Sequence, residues 1–159
     1  MTYLDYQATT PLAPEAVEAM LPWLNAGFAN PHSAHAAGRK AKAAVEVARE
    51  AVADLMPDNG IVSFTSGATE ALNWAIKGSS GPIVTVATEH AAVLDTVAAE
   101  ARRGRAVTVL PVGGDGLVEL AAAREAIKPG VGLVAVMLVN NEIGTIQPLD
   151  ELAALAKGA

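Results

Sequence analysis

The stretch Ile83–Arg103, IVTVATEHAAVLDTVAAEARR, decides the fold. Ile83–Ala87 is a short apolar, β-branched run of strand length, and Ala91–Arg103 carries a helical pattern. Between them stands the polar triplet Thr88-Glu89-His90. The same alternation extends in both directions. Upstream, Ile61–Thr65 reads as a strand and Ala68–Lys77 as a helix. Downstream, Val107–Val112 reads as a strand and Gly113–Gly116 (GGDG) as a turn. Leu120–Lys128 is then a helix, Leu133–Val139 a strand and Asp150–Lys157 a further helix. Strands alternating with helices imply crossover connections, hence an α/β fold with a mainly parallel sheet and helices on both faces. Uninterrupted apolar strands such as Leu133–Val139 (LVAVMLV) suit burial on both faces.

Residues 1–56 have a different character and form a separate part, an N-terminal arm with helices, ahead of an α/β part over 57–159 that begins at Pro57. Tyr3–Pro11 reads as an extended arm. A helix is expected from Pro14, since proline suits a first helical turn, with a kink or break at Pro22. Gly27–His35 (GFANPHSAH) is loop by its Gly, Asn, Pro and Ser content. A long helix follows over Ala36–Met56, with apolar residues at Ala37, Ala41, Ala44, Val45, Ala48, Val52 and Leu55 on one face.

Composition narrows the function classes. An apolar content of 52% against 18% charged residues excludes a disordered chain. A net charge of −6 with scattered basic residues gives no footprint for nucleic acid. Cysteine is absent, so these residues hold no disulfide framework, zinc cluster or thiol nucleophile. No run is long enough to span a bilayer and the first residues do not read as a secretory signal, so a cytoplasmic protein is expected.

Polar clusters stand directly after three of the strand candidates. Ser66-Gly67-Ala68-Thr69-Glu70 follows the first, Thr88-Glu89-His90 the second, and Asn140-Asn141-Glu142 the last. Ligands of open parallel sheets bind at the carboxyl ends of strands, so these clusters mark one candidate site edge. Small residues opening a helix let an anion approach backbone N–H groups, and a phosphate suits the turn at Ala68 and Thr69. An ordinary N-cap explains the same residues. His90 is a candidate for proton transfer or ring stacking, or equally a cap for the next helix. Asn141 has an amide suited to a carboxylate or ring oxygen, and asparagine is also a frequent turn former. His32 and His35 suggest loop capping rather than a metal site, because no cysteine or second carboxylate accompanies them. No metal ligand set is expected. Glu46 and Glu50 beside Arg49 read as a solvated helix face.

Five segments, in order, resemble the cysteine desulfurases of the class-V aminotransferase group, which are fold-type I enzymes dependent on pyridoxal 5′-phosphate (PLP). They are YLDYQATTP at Tyr3–Pro11, NPHSAHAAGR at Asn30–Arg39, FTSGATEALNWAIKG at Phe64–Gly78, TEHAAVLDT at Thr88–Thr96 and VNNEIGTIQP at Val139–Pro148. The resemblance implies the N-terminal part of a PLP-binding large domain. It implies that Ala68 and Thr69 hold the PLP phosphate, that His90 lies over the pyridine ring and assists proton transfer, and that Asn141 contacts the cofactor and substrate side. The implied substrate is L-cysteine, which becomes L-alanine while an enzyme thiolate takes the sulfur as a persulfide. That sulfur would feed iron–sulfur cluster assembly or tRNA thiolation through a sulfur-acceptor or scaffold protein. A homodimer is implied as well. A selenocysteine lyase, another class-V aminotransferase, or a non-catalytic module for a phosphorylated ligand remain alternatives.

The resemblance also places three groups that these residues lack: the aspartate paired with the pyridine nitrogen, the Schiff-base lysine and the nucleophilic cysteine. Lys40, Lys42, Lys77, Lys128 and Lys157 stand in other contexts, and Lys77 suits a helix C-terminus. The expectation is a chain cut before the end of its domain and inactive alone. An unpaired sheet edge and uncovered apolar surface should leave it poorly soluble or obligately paired.

Overall fold

The computed structural model describes residues 2, 3, 6, 8–56 and 60–159. Leu4, Asp5 and Gln7 of the expected arm, and the change of character at Pro57, lie outside the described residues. The chain forms two compact units, Met1–Phe64 and Thr65–Ala159.

The first unit carries α1 (Pro14–Asn25) and α2 (Ala36–Ala53). A break at Pro22 does not occur, since α1 runs through it to Asn25. Proline removes one helical donor, but α1 buries none of its residues, so water can satisfy the carbonyl left over. Ala26 and Gly27 then both donate to Pro22 O and close the helix. The α2 helix is capped by His35, whose Nδ1 accepts from Gly38 N at 3.2 Å. Gly38 is required by close approach: a Cβ there would stand 2.8 Å from Asn30 O and press on Ser33.

The strand expected at Ile61–Thr65 is not formed. Among the described residues it has no ladder partner. Arg49 on α2 holds the segment instead, donating to Val62 O at 2.5 Å and lying 5.0 Å over the Phe64 ring. Arg49 also pairs with Glu46 at 3.1 Å, so the charged face of α2 is partly engaged with its own unit.

In the second unit α3 (Ala68–Gly78) leads to β1 (Ile83–Val86), α4 (Ala91–Arg102), β2 (Val107–Leu110), α5 (Leu120–Ala126), β3 (Leu133–Ala135) and α6 (Leu149–Lys157). The described strands form a parallel sheet in the order β2-β1-β3. All four residues of central β1 are buried. Its alternating side chains supply two cores. Ile83 packs with Ile76 of α3 and with Val93 and Val97 of α4. Val84 and Val86 pack with Ala123 of α5 and Leu152 of α6. The sheet is therefore covered on both faces. Each fully buried Ile or Val contributes about 1.5–3 kcal/mol.

The last strand is shorter and less buried than its apolar sequence suggests. Its ladder stops at Ala135, and its three residues are only half-buried. It has β1 on one side and no described strand on the other, which deprives its outer edge of ladder partners. Val139 instead bridges Ile146 in an isolated antiparallel pair. A second such bridge, Val112 to Val118, closes the GGDG turn. Large apolar side chains stay exposed in both units, among them Phe28, Leu55, Ile61, Trp74 and Ile143. No described helix is long and apolar enough to cross a membrane.

Candidate functional site

The chain leaves β1 for α4 on one face of the sheet and leaves β3 for α6 on the other. Adjacent parallel strands whose exits diverge in this way open a crevice at their carboxyl ends, the usual ligand position of an open α/β sheet. A cavity of about 320 Å³ is lined by Thr88, Glu89, His90 and Ala91 after β1 and by Asn140, Asn141, Glu142 and Ile143 after β3. Its size falls at the lower end of the ~300–1,000 Å³ typical of ligand pockets. Other cavities are larger, but they are lined mainly by aliphatic side chains and hold no comparable set of polar groups.

His90 and Asn141 are thus brought together, on segments some fifty residues apart. His90 is the N-cap of α4, and its Nδ1 accepts from Ala92 N at 3.0 Å. That bond requires a lone pair on Nδ1, so the neutral ring carries its proton on Nε2. His90 therefore caps α4 and lines the cavity at the same time. Asn141 is exposed at the cavity wall.

Ala68 and Thr69 do not line this cavity. They are the first two residues of α3, after the N-cap Gly67, and both are exposed. Their side of the sheet follows from the far end of the helix. Arg105, two residues before the start of β2, donates to Ile76 O at 2.6 Å, Gly81 O at 2.6 Å and Ser79 Oγ at 2.9 Å. These bonds fix the C-terminus of α3 at the amino ends of the strands. Its N-terminus therefore points toward the carboxyl ends, as does that of α4. Among the described residues nothing accepts from the Ala68 or Thr69 N–H groups. The turn is ordered by Glu70, whose carboxylate accepts from Ser66 N at 2.6 Å. The Ser66 hydroxyl and N–H hold the Glu70 carboxyl below its usual range. Lys77 occupies the last turn of α3, as its context implied.

Three groups that shape the site were not singled out by the sequence. Glu89 is 9% exposed, and its Oε1 accepts from Met137 N at 2.5 Å. Burial raises its carboxyl above the usual range, opposed by the Met137 and His90 N–H groups. Asn140 donates to Thr88 O at 2.8 Å and accepts from Glu142 N and Ile143 N at 2.9 and 3.0 Å. Arg105 is the third. A hint existed for the first two, since both adjoin the residues read as functional. The cavity lining offers an imidazole, two amides and two carboxylates, with no lysine or arginine. Among the described residues no cluster of His, Cys, Asp or Glu could hold a metal ion. His35 is occupied as the α2 cap, and the His32 N–H donates to Asn30 Oδ1 at 2.9 Å.

The fold and site define an open-sheet α/β protein with a switch-point cavity and a free helix N-terminus on the same side. The aminotransferase class-V family matches residues 2–159, and the chain belongs to that family. It is 46% identical to the mitosomal cysteine desulfurase of Encephalitozoon cuniculi, over 98% of this chain and 38% of that protein. It is 47% identical to cysteine desulfurase IscS of Dechloromonas aromatica, over 98% of this chain and 41% of the relative. The chain thus spans about two fifths of the length of these curated relatives. Among solved structures, SspA in complex with cysteine superposes with a TM-score of 0.91 at 37% identity, over 99% of this chain and 48% of that one. DndA from Streptomyces lividans gives 0.76 at 39% identity, over 96% of this chain and 45% of that one.

Proposed function

We propose that these residues form the cofactor-holding N-terminal portion of a PLP-dependent cysteine desulfurase, which takes sulfur from L-cysteine and leaves L-alanine. The observation that carries this reading is the pairing of His90 with Asn141 in one cavity at the switch point, in a chain of this family. The residues fit PLP. An exposed helix N-terminus with unengaged N–H groups suits a phosphate, and the nearby polar cavity suits a ring bearing oxygen and nitrogen.

In this reading the Ala68 and Thr69 N–H groups and the Thr69 hydroxyl hold the phosphate, aided by the α3 dipole. The Asn141 amide donates to an oxygen of the cofactor or substrate. His90, with Nδ1 engaged by Ala92, presents Nε2 as the atom that holds or passes a proton. PLP, when bound, supplies an electron sink for the amine-bearing carbon of the substrate. The thiol that receives sulfur lies outside these residues, since they contain no cysteine. Delivery of the sulfur to an acceptor for iron–sulfur assembly or tRNA thiolation, by a cytoplasmic homodimer, completes the proposal.

The test is to supply the full-length protein with PLP and L-cysteine and measure sulfide and alanine. Both products are expected in step. A protein that binds PLP yet releases neither would overturn the desulfurase reading.

A further inference from the structure

The two ladders of β1 end at different points. Toward β2 the ladder continues to Val86 and Leu110, whereas toward β3 it stops one pair earlier, at Thr85 and Ala135. Beyond that point β1 and β3 fork, and side chains take over from backbone pairing. Thr85 Oγ1 donates to Ala135 O at 2.8 Å. Glu89 Oε1 accepts from Met137 N at 2.5 Å, and Asn140 Nδ2 donates to Thr88 O at 2.8 Å. The last two ties are reciprocal. A side chain after β1 grips the backbone after β3, and a side chain after β3 grips the backbone after β1.

Glu89 and Asn140 are 9% and 8% exposed, while the next residue of each pair, His90 and Asn141, is exposed at the cavity. A buried carboxylate without an ion-pair partner costs free energy. No Lys or Arg pairs with Glu89 among the described residues, and of the charged groups only the adjacent His90 favours its ionised form. Ordinary ladder bonds would have joined the strands without that cost, but they would also have closed the fork. We propose that Glu89 and Asn140 are positioning residues that hold the fork at a fixed opening and so set the separation of His90 from Asn141. The proposal rests on reading that pair as the cofactor-covering pair.

The test uses the full-length protein and two readouts other than turnover: amide hydrogen exchange at Met137, and PLP affinity from its visible absorbance. In the unmodified protein the Met137 amide is expected to be protected, and exchange as fast as an open amide overturns the tie. Glu89→Ala should speed that exchange by roughly ten- to a hundredfold and weaken PLP binding by roughly tenfold. Glu89→Gln keeps an acceptor oxygen and should restore both. Should Glu89→Ala fail to fold, Asn140→Asp carries the test. It keeps the oxygen that accepts from Glu142 and Ile143, loses the donor to Thr88, and should weaken PLP binding several-fold. PLP affinity unchanged in Glu89→Ala or Asn140→Asp refutes the clamp. A full-length protein that never binds PLP refutes the functional reading instead.

Discussion

The starts of α2 and α4 use the same device in different settings. Each helix is capped by a histidine whose Nδ1 accepts a backbone N–H, His35 from Gly38 at 3.2 Å and His90 from Ala92 at 3.0 Å. Before His35 lies a loop that satisfies itself: Asn30 accepts from His32 N and Ser33 N, and Gly38 lies tight against Ser33. Before His90 lies a fully buried strand, and beside it a polar cavity shared with Asn141. Capping is thus no sign that a histidine lacks another task. What separates the two is the element that delivers them: His90 follows a strand and so stands at its sheet's ligand edge, whereas His35 follows a loop.

The largest effect is expected on removing each ring in the full-length protein. His90→Ala should lower kcat by roughly 10²–10⁴-fold, the usual worth of a positioned proton-transfer group. His35→Ala should leave kcat unchanged. His90→Asn separates the two roles of that residue, because asparagine also caps well. It should keep the stability of α4 and still lose the activity. Equal kcat losses at His35 and His90 would erase the distinction.

A second test concerns the tightness of the loop before α2. Gly38→Ala puts a Cβ against Asn30 O and Ser33, and should destabilise the fold by about 1–3 kcal/mol in urea titrations. A neutral result would show that the loop yields freely. His35→Ala should cost about 0.5–2 kcal/mol by the same measurement, the worth of a cap.

The smallest effect is a difference in pH dependence between two glutamates beside the site. Burial raises the Glu89 carboxyl, so its charged form is disfavoured by folding. Its contribution to stability falls as pH rises from the ordinary glutamate range to the raised value. Glu70 is held low by Ser66, so it adds stability above the ordinary range and loses it as pH falls through the depressed value. Glu70 is fully exposed and its effect is small. In urea midpoints followed from acid to neutral pH, Glu89→Gln should flatten the fall and Glu70→Gln should flatten the rise. The same slopes in both variants as in the unmodified protein would contradict these assignments.

The layered fold was legible because apolar runs of strand length alternate with helical patterns from Ile83 onward. The shared place of His90 and Asn141 at one sheet edge was legible because each follows such a run. The strand expected at Ile61–Thr65 failed for a reason no local pattern carries: a strand needs a partner, and Arg49 of α2 holds Val62 instead. Leu133–Val139 was read too long because apolar content does not say where a ladder stops. Glu89 and Asn140 were passed over as structural groups because their partners lie 48 and 52 residues away. Arg105 was missed likewise, reaching back 24 to 29 residues to the end of α3.

The sheet order β2-β1-β3 carries a consequence for the order of events during synthesis. His90 is made long before the strand that completes its surroundings, and β2 and α5 must be built and set aside first. Loop closure over that span precedes any gain from the contacts it brings. A ribosome-bound chain ending before Leu133 can have both helix caps formed and still own no cavity. The cavity is complete only once β3 lies beside β1 and the residues after it, Asn140 to Ile143, are in place.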